Sequence, residues 1–162
     1  MTAADRAALI TRYAEGPALF RRTLAAVPPA LMQWRPAPGK WTVHEIIIHC
    51  ADSECNAHMR IRYLLAEAKP VLVGYDQDTW ARVLDYHSLP TEPALATIEA
   101  VRANTVAVIR RMSESDWQKA GHHTESGAYS ALDWLKTYSD HLEVHSRQVE
   151  RNQAAWQASK GR

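Results

Sequence analysis

The sequence predicts an all-α protein of four helices, with a long crossover between the second and the third. Three observations support this fold class: apolar residues recur every three to four positions in four segments, two capping boxes mark helix starts, and no segment alternates like a strand over a useful length. With 162 residues, of which 46% are hydrophobic, the chain can bury one continuous core. We therefore predict a single domain over residues 1–162.

The first predicted helix is a segment whose apolar residues follow the helical period. Gly16 and Pro17 interrupt it, and because proline lacks a backbone N–H and crowds the preceding turn, we expect a kink or a new helix start there. An extended connection that carries Trp34 and Trp41 follows. The apolar positions of the helix are Leu9, Tyr13, Phe20, Leu24 and Val27, and the connection contains Pro28, Pro29, Pro36, Pro38 and Gly39.

The second predicted helix begins at a capping box formed by Thr42 and Glu45. In this arrangement the threonine side chain accepts from a backbone amide and the glutamate reaches back to the cap. The helix ends at the break before Pro70. Residues 70–90 form the crossover, in which residues 78–86 are predicted to make a short helix. The apolar side of the second helix carries Ile46, Cys50, Ala57, Ile61 and Leu64.

The third and fourth helices complete the predicted domain. The third begins near Thr91 and keeps an apolar heptad spacing. A polar segment that contains His122 and His123 then leads to a second capping box at Ser130, from which the fourth helix is expected to reach about residue 159. The heptad positions of the third helix are Leu95, Ile98, Val101, Thr105, Val108 and Met112.

Charge and composition argue against several classes of partner. Nineteen basic and eighteen acidic residues leave a formal charge of +1, which indicates neither nucleic acid nor an anionic membrane as a partner. The N-terminal segment lacks the pattern of a secretory signal, and the longest apolar run, around residues 46–48, is too short to cross a bilayer. We therefore expect a cytoplasmic protein in which Cys50 and Cys55 are reduced thiols.

Among eight histidines, His141 and His145 have the spacing of a shared metal site. They stand four positions apart on the fourth helix, which places one imidazole a turn above the other. His49 lies beside core positions of the second helix. Spacing alone leaves open a solvated pair on the fourth helix and a hydrogen-bonded core histidine on the second. Convergence of all three on one ion is the remaining interpretation, and a metal would compensate the burial of three imidazoles.

Two familiar metal motifs do not fit this sequence. The segment HEIIIH at residues 44–49 has one residue more than a zinc-protease motif, so its two histidines point apart. A ferritin-like di-iron site needs a glutamate three positions before a histidine, and no histidine here has one. The other histidines are expected at surface or structural positions, with His122 and His123 as candidates for a pocket rim; they are His44, His58, His87, His122 and His123.

Two ordered signatures resemble the DinB/YfiT-like superfamily. The first comprises WRP at residues 34–36, GKWTV at 39–43 and EIIIH at 45–49, with Asp52 and Glu54 soon after. The second comprises WL at residues 134–135 and DHLEVHSRQ at 140–148. Together they span most of the chain, and their order around a long crossover makes the resemblance specific.

The resemblance implies an antiparallel four-helix bundle with an up-down-down-up course, commonly dimeric, that holds one zinc, nickel or iron ion on three histidines. Carried over to matching positions, the metal ligands are His49, His141 and His145. Some members use a low-molecular-weight thiol as co-substrate in transferase or isomerase reactions, others are named as metal-dependent hydrolases, and many have no established activity. We therefore expect a homodimer with one divalent transition metal and a small-molecule substrate, a thiol being one candidate.

Three protein nitrogens would leave a coordination position for water in a hydrolytic route or for a thiolate in a transferase route. Glu45, Asp52 and Asp140 are candidates to orient a ligand or move a proton. A solvated helix face is the favoured interpretation for Asp52, and a surface role is favoured for Asp140 and Glu143.

Four aromatic residues could line a pocket, although core positions are favoured for side chains at helical spacing. These residues are Trp34, Trp41, Trp134 and Tyr138. Two alternatives to an enzyme stay open: a binding or stress-associated module in which the metal only ties two helices together, and a family member that has lost its metal.

Overall fold

The computed structural model describes residues 1–161 and is mostly helical. Its four long helices correspond to the four predicted ones, and the predicted short helix lies between the second and third of them. Within the described residues, no helix combines the length and the apolar content that a membrane span requires. The helices are α1 (Ala3–Ala25), α2 (Val43–Ala66), α3 (Gln77–Val83), α4 (Thr91–Ile109) and α5 (Ala131–Lys160), and the strands are β1 (Val71–Leu72), β2 (Ala120–His123) and β3 (Gly127–Ser130).

Capping boxes begin three of the long helices. In α2 the Thr42 hydroxyl accepts from the backbone N–H of Glu45 at 3.1 Å, and the Glu45 carboxylate accepts from the backbone N–H of Thr42 at 2.8 Å. Ser130 caps α5 in the same way. Both boxes agree with the sequence prediction. A third box, Thr2 with Asp5, begins α1 further upstream than the apolar period indicates.

Helix α1 continues through Pro17, so the predicted new helix start is wrong. Proline removes the N–H that would bond the carbonyl of Tyr13 one turn earlier. The guanidinium of Arg102 on α4 replaces that donor, since its Nη1 donates to the Tyr13 carbonyl at 2.6 Å. Gly16 leaves the space for this guanidinium, because a Cβ there would overlap Nη1. A contact between helices thus compensates a defect within one helix.

The long helices bury two apolar clusters. Helices α1 and α2 each pack against α4 and α5. One cluster contains Tyr13 and Trp134, and the other contains Phe20 and Leu142. The Trp134 indole is fully buried and its N–H donates to the carbonyl of Ala57 at 2.9 Å, which ties α5 to α2 through the core.

The buried face of α4 differs from the predicted one by one residue position in the middle and second half of the helix. Val101 and Val108 are only partly buried, whereas Arg102 is 1% exposed. An equally regular heptad runs through Arg102, but a charged residue does not count as apolar in a periodicity analysis. The buried residues of α4 are Leu95, Ile98, Arg102, Thr105, Val106 and Ile109.

A three-stranded sheet in the order β1-β2-β3 accompanies the helices, and the all-α prediction does not include it. Strands β1 and β2 are parallel, and β2 and β3 are antiparallel. The strands are two to four residues long, which is too short for alternation to be recognised in a sequence. Val71 pairs with His122 across 51 positions, so the sheet depends on how the helices place its segments.

Candidate metal centre

The structure brings together the three histidines that the sequence singles out. His49 lies in the first half of α2, and His141 and His145 lie one turn apart on α5. One ligand atom from each lies within 4.8 Å of the other two. The ring centroids are 4.7 Å apart for His141 and His145, 4.8 Å for His49 and His145, and 5.7 Å for His49 and His141.

His49 and His145 are neutral at pH 7, and the neutral form of imidazole is the one that binds a metal. Burial, together with the neighbouring His145 and His141, lowers the pKa of His49 to about 2. Burial and then His141 likewise lower the pKa of His145 to about 4. The Nδ1 atom of His49 is buried without a hydrogen-bond partner, which is rare for a polar atom. Three clustered imidazoles, of which His49 has an unbonded ring nitrogen, fit a divalent transition metal, and imidazole suits zinc, nickel and iron alike.

A buried carboxylate contacts one of these histidines from behind. Nδ1 of His141 lies 3.0 Å from Oε1 of Glu54, which is fully buried on α2, and Nη2 of Arg102 donates to the same oxygen at 2.6 Å. Burial alone would raise the pKa of Glu54, but the charge of Arg102 and the hydrogen bond with His141 hold it at about 2. Because an ionised carboxylate only accepts, Nδ1 of His141 is the donor in this contact, and Nε2 is the nitrogen left to face an ion.

His145 has a comparable partner on its own helix. Its Nδ1 lies 2.8 Å from Oε1 of Gln148, so donation to that amide oxygen leaves the lone pair on Nε2. Partners of this kind orient the histidines of metal sites and select the nitrogen that faces the ion.

Sequence reasoning missed the two charged residues at the back of this cluster. In the sequence, Glu54 stands out only as part of the family signature, and Arg102 belongs to no recognisable motif. The signal is that each fills a gap in an apolar stripe: Glu54 stands between Cys50 and Ala57 on α2, and Arg102 stands between buried positions of α4. A charged residue on the buried face of a helix must find a buried partner.

The carboxylates considered from sequence are engaged elsewhere. Glu45 caps α2 and accepts from Arg35 at 2.7 Å. Asp52 accepts from the Tyr86 hydroxyl at 2.5 Å, so it is partly buried rather than a freely solvated acid. Within residues 1–161, neither has a hydrogen bond to His49, His141 or His145.

Asp140 and Glu143 have the surface role that the sequence favours. Both accept from Arg12 of α1, Asp140 at 2.7 Å and Glu143 from Nε at 2.8 Å. They join α1 to α5 at the surface, although they stand beside His141 in the sequence.

The remaining histidines occupy separate places. Nε2 of His44 lies 2.8 Å from the carbonyl of Leu89, and His58 Nδ1 lies 2.9 Å from the Thr105 hydroxyl. Nε2 of His87 lies 2.9 Å from the Glu45 carboxylate. His122 and His123 lie in β2, where His122 is exposed and His123 is buried. Their predicted role at a pocket rim stays a prediction.

Trp41 forms a wall between the histidine cluster and a neighbouring cavity. Its ring centroid is 4.6 Å from that of His49, and its indole N–H donates to Asp78 at 2.9 Å. The cavity has a volume of about 510 Å³, and Trp41, Arg35 and Glu45 are among its lining residues. Of the four aromatic residues that could line a pocket according to the sequence, Trp41 therefore does so.

Trp134 and Tyr138 are core residues, as favoured from their spacing, and Trp34 packs partly buried against the second apolar cluster. Neither cysteine belongs to the cluster. Cys50 is fully buried, which raises the pKa of its thiol, and Cys55 is exposed.

The sequence profile of the DinB superfamily matches residues 12–149, which include all three clustered histidines. The chain belongs to the DinB superfamily. A DinB relative from Oceanobacillus iheyensis, which carries the name "Putative metal-dependent hydrolase", is 33% identical over 129 residues, covering 80% of this chain and 74% of the relative.

Two solved structures show the same fold at low sequence identity. YfiT from Bacillus subtilis, described as a probable metal-dependent hydrolase with an unusual four-helix bundle topology, aligns with a TM-score of 0.84 at 20% identity, over 95% of this chain and 90% of that one. A mycothiol-dependent maleylpyruvate isomerase aligns with a TM-score of 0.71 at 16% identity, over 92% of this chain and 63% of that one. This DinB chain therefore shares its fold with two proteins that are described by different activities.

Proposed function

We propose that this DinB protein is a metal-dependent hydrolase that binds one divalent transition metal through His49, His141 and His145. The observation that carries the proposal is the meeting of three imidazoles from α2 and α5, with their ligand atoms within 4.8 Å of one another. The family's metal-dependent relatives support the same assignment.

Three nitrogen donors are the ligand set of a catalytic rather than a closed structural site, because they leave a coordination position free. When bound, the ion would supply Lewis acidity and lower the pKa of a water or thiol. The protein's part is to hold His49 and His145 neutral by burial and to orient the rings of His141 and His145 through Glu54 and Gln148. Trp41 shields His49 from bulk water on one side.

A thiol-dependent transferase or isomerase is the second candidate, supported by the fold shared with the mycothiol-dependent enzyme. Cys50 is buried with a raised pKa, so the chain's own neighbouring thiol is unsuited to act as a thiolate. The thiol would have to come from a small-molecule co-substrate. Turnover that requires an added low-molecular-weight thiol supports this second candidate, whereas metal-dependent hydrolysis without any thiol supports the hydrolase.

From the same family membership we propose that the long helices run in the up-down-down-up course and that the chain forms a homodimer in the cytoplasm. Light scattering on the purified protein measures the oligomeric mass, and a monomer at all accessible concentrations would contradict the dimer.

The decisive experiment is metal quantification on untagged protein. We expect about one equivalent of a transition metal in the wild type and in His122→Ala, an exposed histidine that serves as the control, and loss of that equivalent in His141→Ala and His145→Ala. Equal metal content in all four proteins would remove the basis of the proposal.

Catalysis is tested separately from binding. Metal-free and reconstituted wild type are compared on ester, amide and thioester substrates. Turnover that returns with the metal supports a hydrolase, whereas a metal that raises the melting temperature without turnover on any substrate favours the non-catalytic module.

A further inference from the structure

Arg102 is a buried residue that touches all the other long helices. It is 1% exposed on α4 and donates to the Tyr13 carbonyl of α1 at 2.6 Å, to Glu54 of α2 at 2.6 Å and to the Tyr138 carbonyl of α5 at 3.0 Å. Its Cζ also lies 4.1 Å from the centre of the Tyr13 ring. Contacts in three directions leave the guanidinium little freedom to move.

Glu54 is correspondingly fixed. Its Oε1 is shared between Nη2 of Arg102 and Nδ1 of His141, and the carboxylate is fully buried. A buried carboxylate whose position is set by a rigid guanidinium provides His141 with an acceptor at a defined place.

The geometry points to Glu54, held by Arg102, as the positioning residue of the metal centre. This inference rests on the proposed metal site. Glu54 holds the His141 ring by its Nδ1–H, so that Nε2 is the nitrogen offered to the ion. Arg102 holds Glu54 and at the same time replaces the donor that Pro17 removes from α1. The orientation of His141 is thereby coupled to α1, although α1 contributes no metal ligand.

An ion pair that only stabilises the fold is the competing interpretation, and energetics argue against it. Burying a carboxylate and a guanidinium costs desolvation that their attraction rarely exceeds, and apolar residues of similar size often stabilise a core equally well. The pair also forces Gly16 into the middle of α1, where glycine disfavours the helix. A role in holding His141 explains these costs.

The test compares zinc affinity and the cobalt spectrum across four proteins. Glu54→Gln keeps an acceptor oxygen for His141 but removes the charge. Glu54→Leu combined with Arg102→Met removes both charges together and avoids leaving one of them buried alone. Glu143→Gln makes the same chemical change at the surface, two positions from His141. Zinc dissociation constants come from chelator competition, and ligand geometry comes from the visible absorption of bound cobalt.

We expect the double variant to bind zinc about 10- to 100-fold more weakly than the wild type, with an altered cobalt spectrum. Glu54→Gln should bind zinc about tenfold more weakly than the wild type, while its cobalt spectrum stays close to that of the wild type. Glu143→Gln should match the wild type in both. Urea unfolding of the metal-free proteins shows which variants fold, and Glu54→Gln alone carries the test if the double variant does not.

Two results would overturn the inference in different ways. A wild type that binds neither zinc nor cobalt refutes the metal site and the positioning role with it. A wild type that binds both, beside folded Glu54 variants of unchanged affinity and spectrum, leaves the metal site intact and refutes only the positioning role.

Discussion

Replacing Gly16 with alanine should destabilise the protein, although the same change in an ordinary helix is favourable. Gly16 lies inside α1, where alanine would gain about 1 kcal/mol through helix propensity. A Cβ at this position would overlap Nη1 of Arg102 and lie 3.3 Å from both the Arg102 Cζ and the Leu142 Cδ1. The propensity gain is therefore opposed by a steric conflict in the core.

The magnitude follows from how firmly the guanidinium is held. If Arg102 stays in place, overpacking costs about 1–3 kcal/mol. If it withdraws, the hydrogen bond to the Tyr13 carbonyl is lost, which costs about 1.5–3 kcal/mol for a charged donor. That carbonyl then has no partner from the Arg102 guanidinium, and Pro17 has no backbone N–H to replace it. After the propensity gain of about 1 kcal/mol, we expect a net loss of up to about 2 kcal/mol in the free energy of unfolding.

Urea unfolding of Gly16→Ala and wild type measures this loss. Ala8→Gly is the matched control, because Ala8 is an exposed position of the same helix and reports the local propensity difference alone. If Gly16→Ala is stabilised by as much as Ala8→Gly is destabilised, the guanidinium is not fixed where the structure places it and the reasoning fails.

Two further predictions concern the histidine cluster and the core. Because burial holds the pKa of His145 at about 4 against an ordinary value of 6.5, the unfolded chain binds more protons than the folded one between these values. The stability contributed by neutral His145 should thus be fully present above about pH 6.5, and the free energy of unfolding of the metal-free protein should fall towards pH 4. His145→Gln should reduce this fall, as measured by urea titrations at both pH values. Trp134→Phe removes the buried indole N–H that donates to the Ala57 carbonyl and should cost about 0.5–1.5 kcal/mol for this hydrogen bond in the same assay, with an unchanged midpoint as the contrary result.

Much of the site was predictable because the strongest signals are local. His141 and His145 stand one turn apart on a helix that begins at a recognisable capping box, so their proximity follows from helical geometry alone. The long helices and the start of α2 at Thr42 have the same origin. Each depends on residues within one or two turns of one another.

The sequence by itself therefore determined the long helices, the capping boxes at Thr42 and Ser130 and the pairing of His141 with His145, and the family resemblance added His49. Only the tertiary structure decided that Glu54 and Arg102 lie beside this cluster and that α1 passes through Pro17 without a break. The physical reason is that each of these features is a contact between residues distant in sequence. A charged side chain on a buried helix face, or a proline inside a helix, is costly when judged locally, and the sequence does not show which distant partner compensates it.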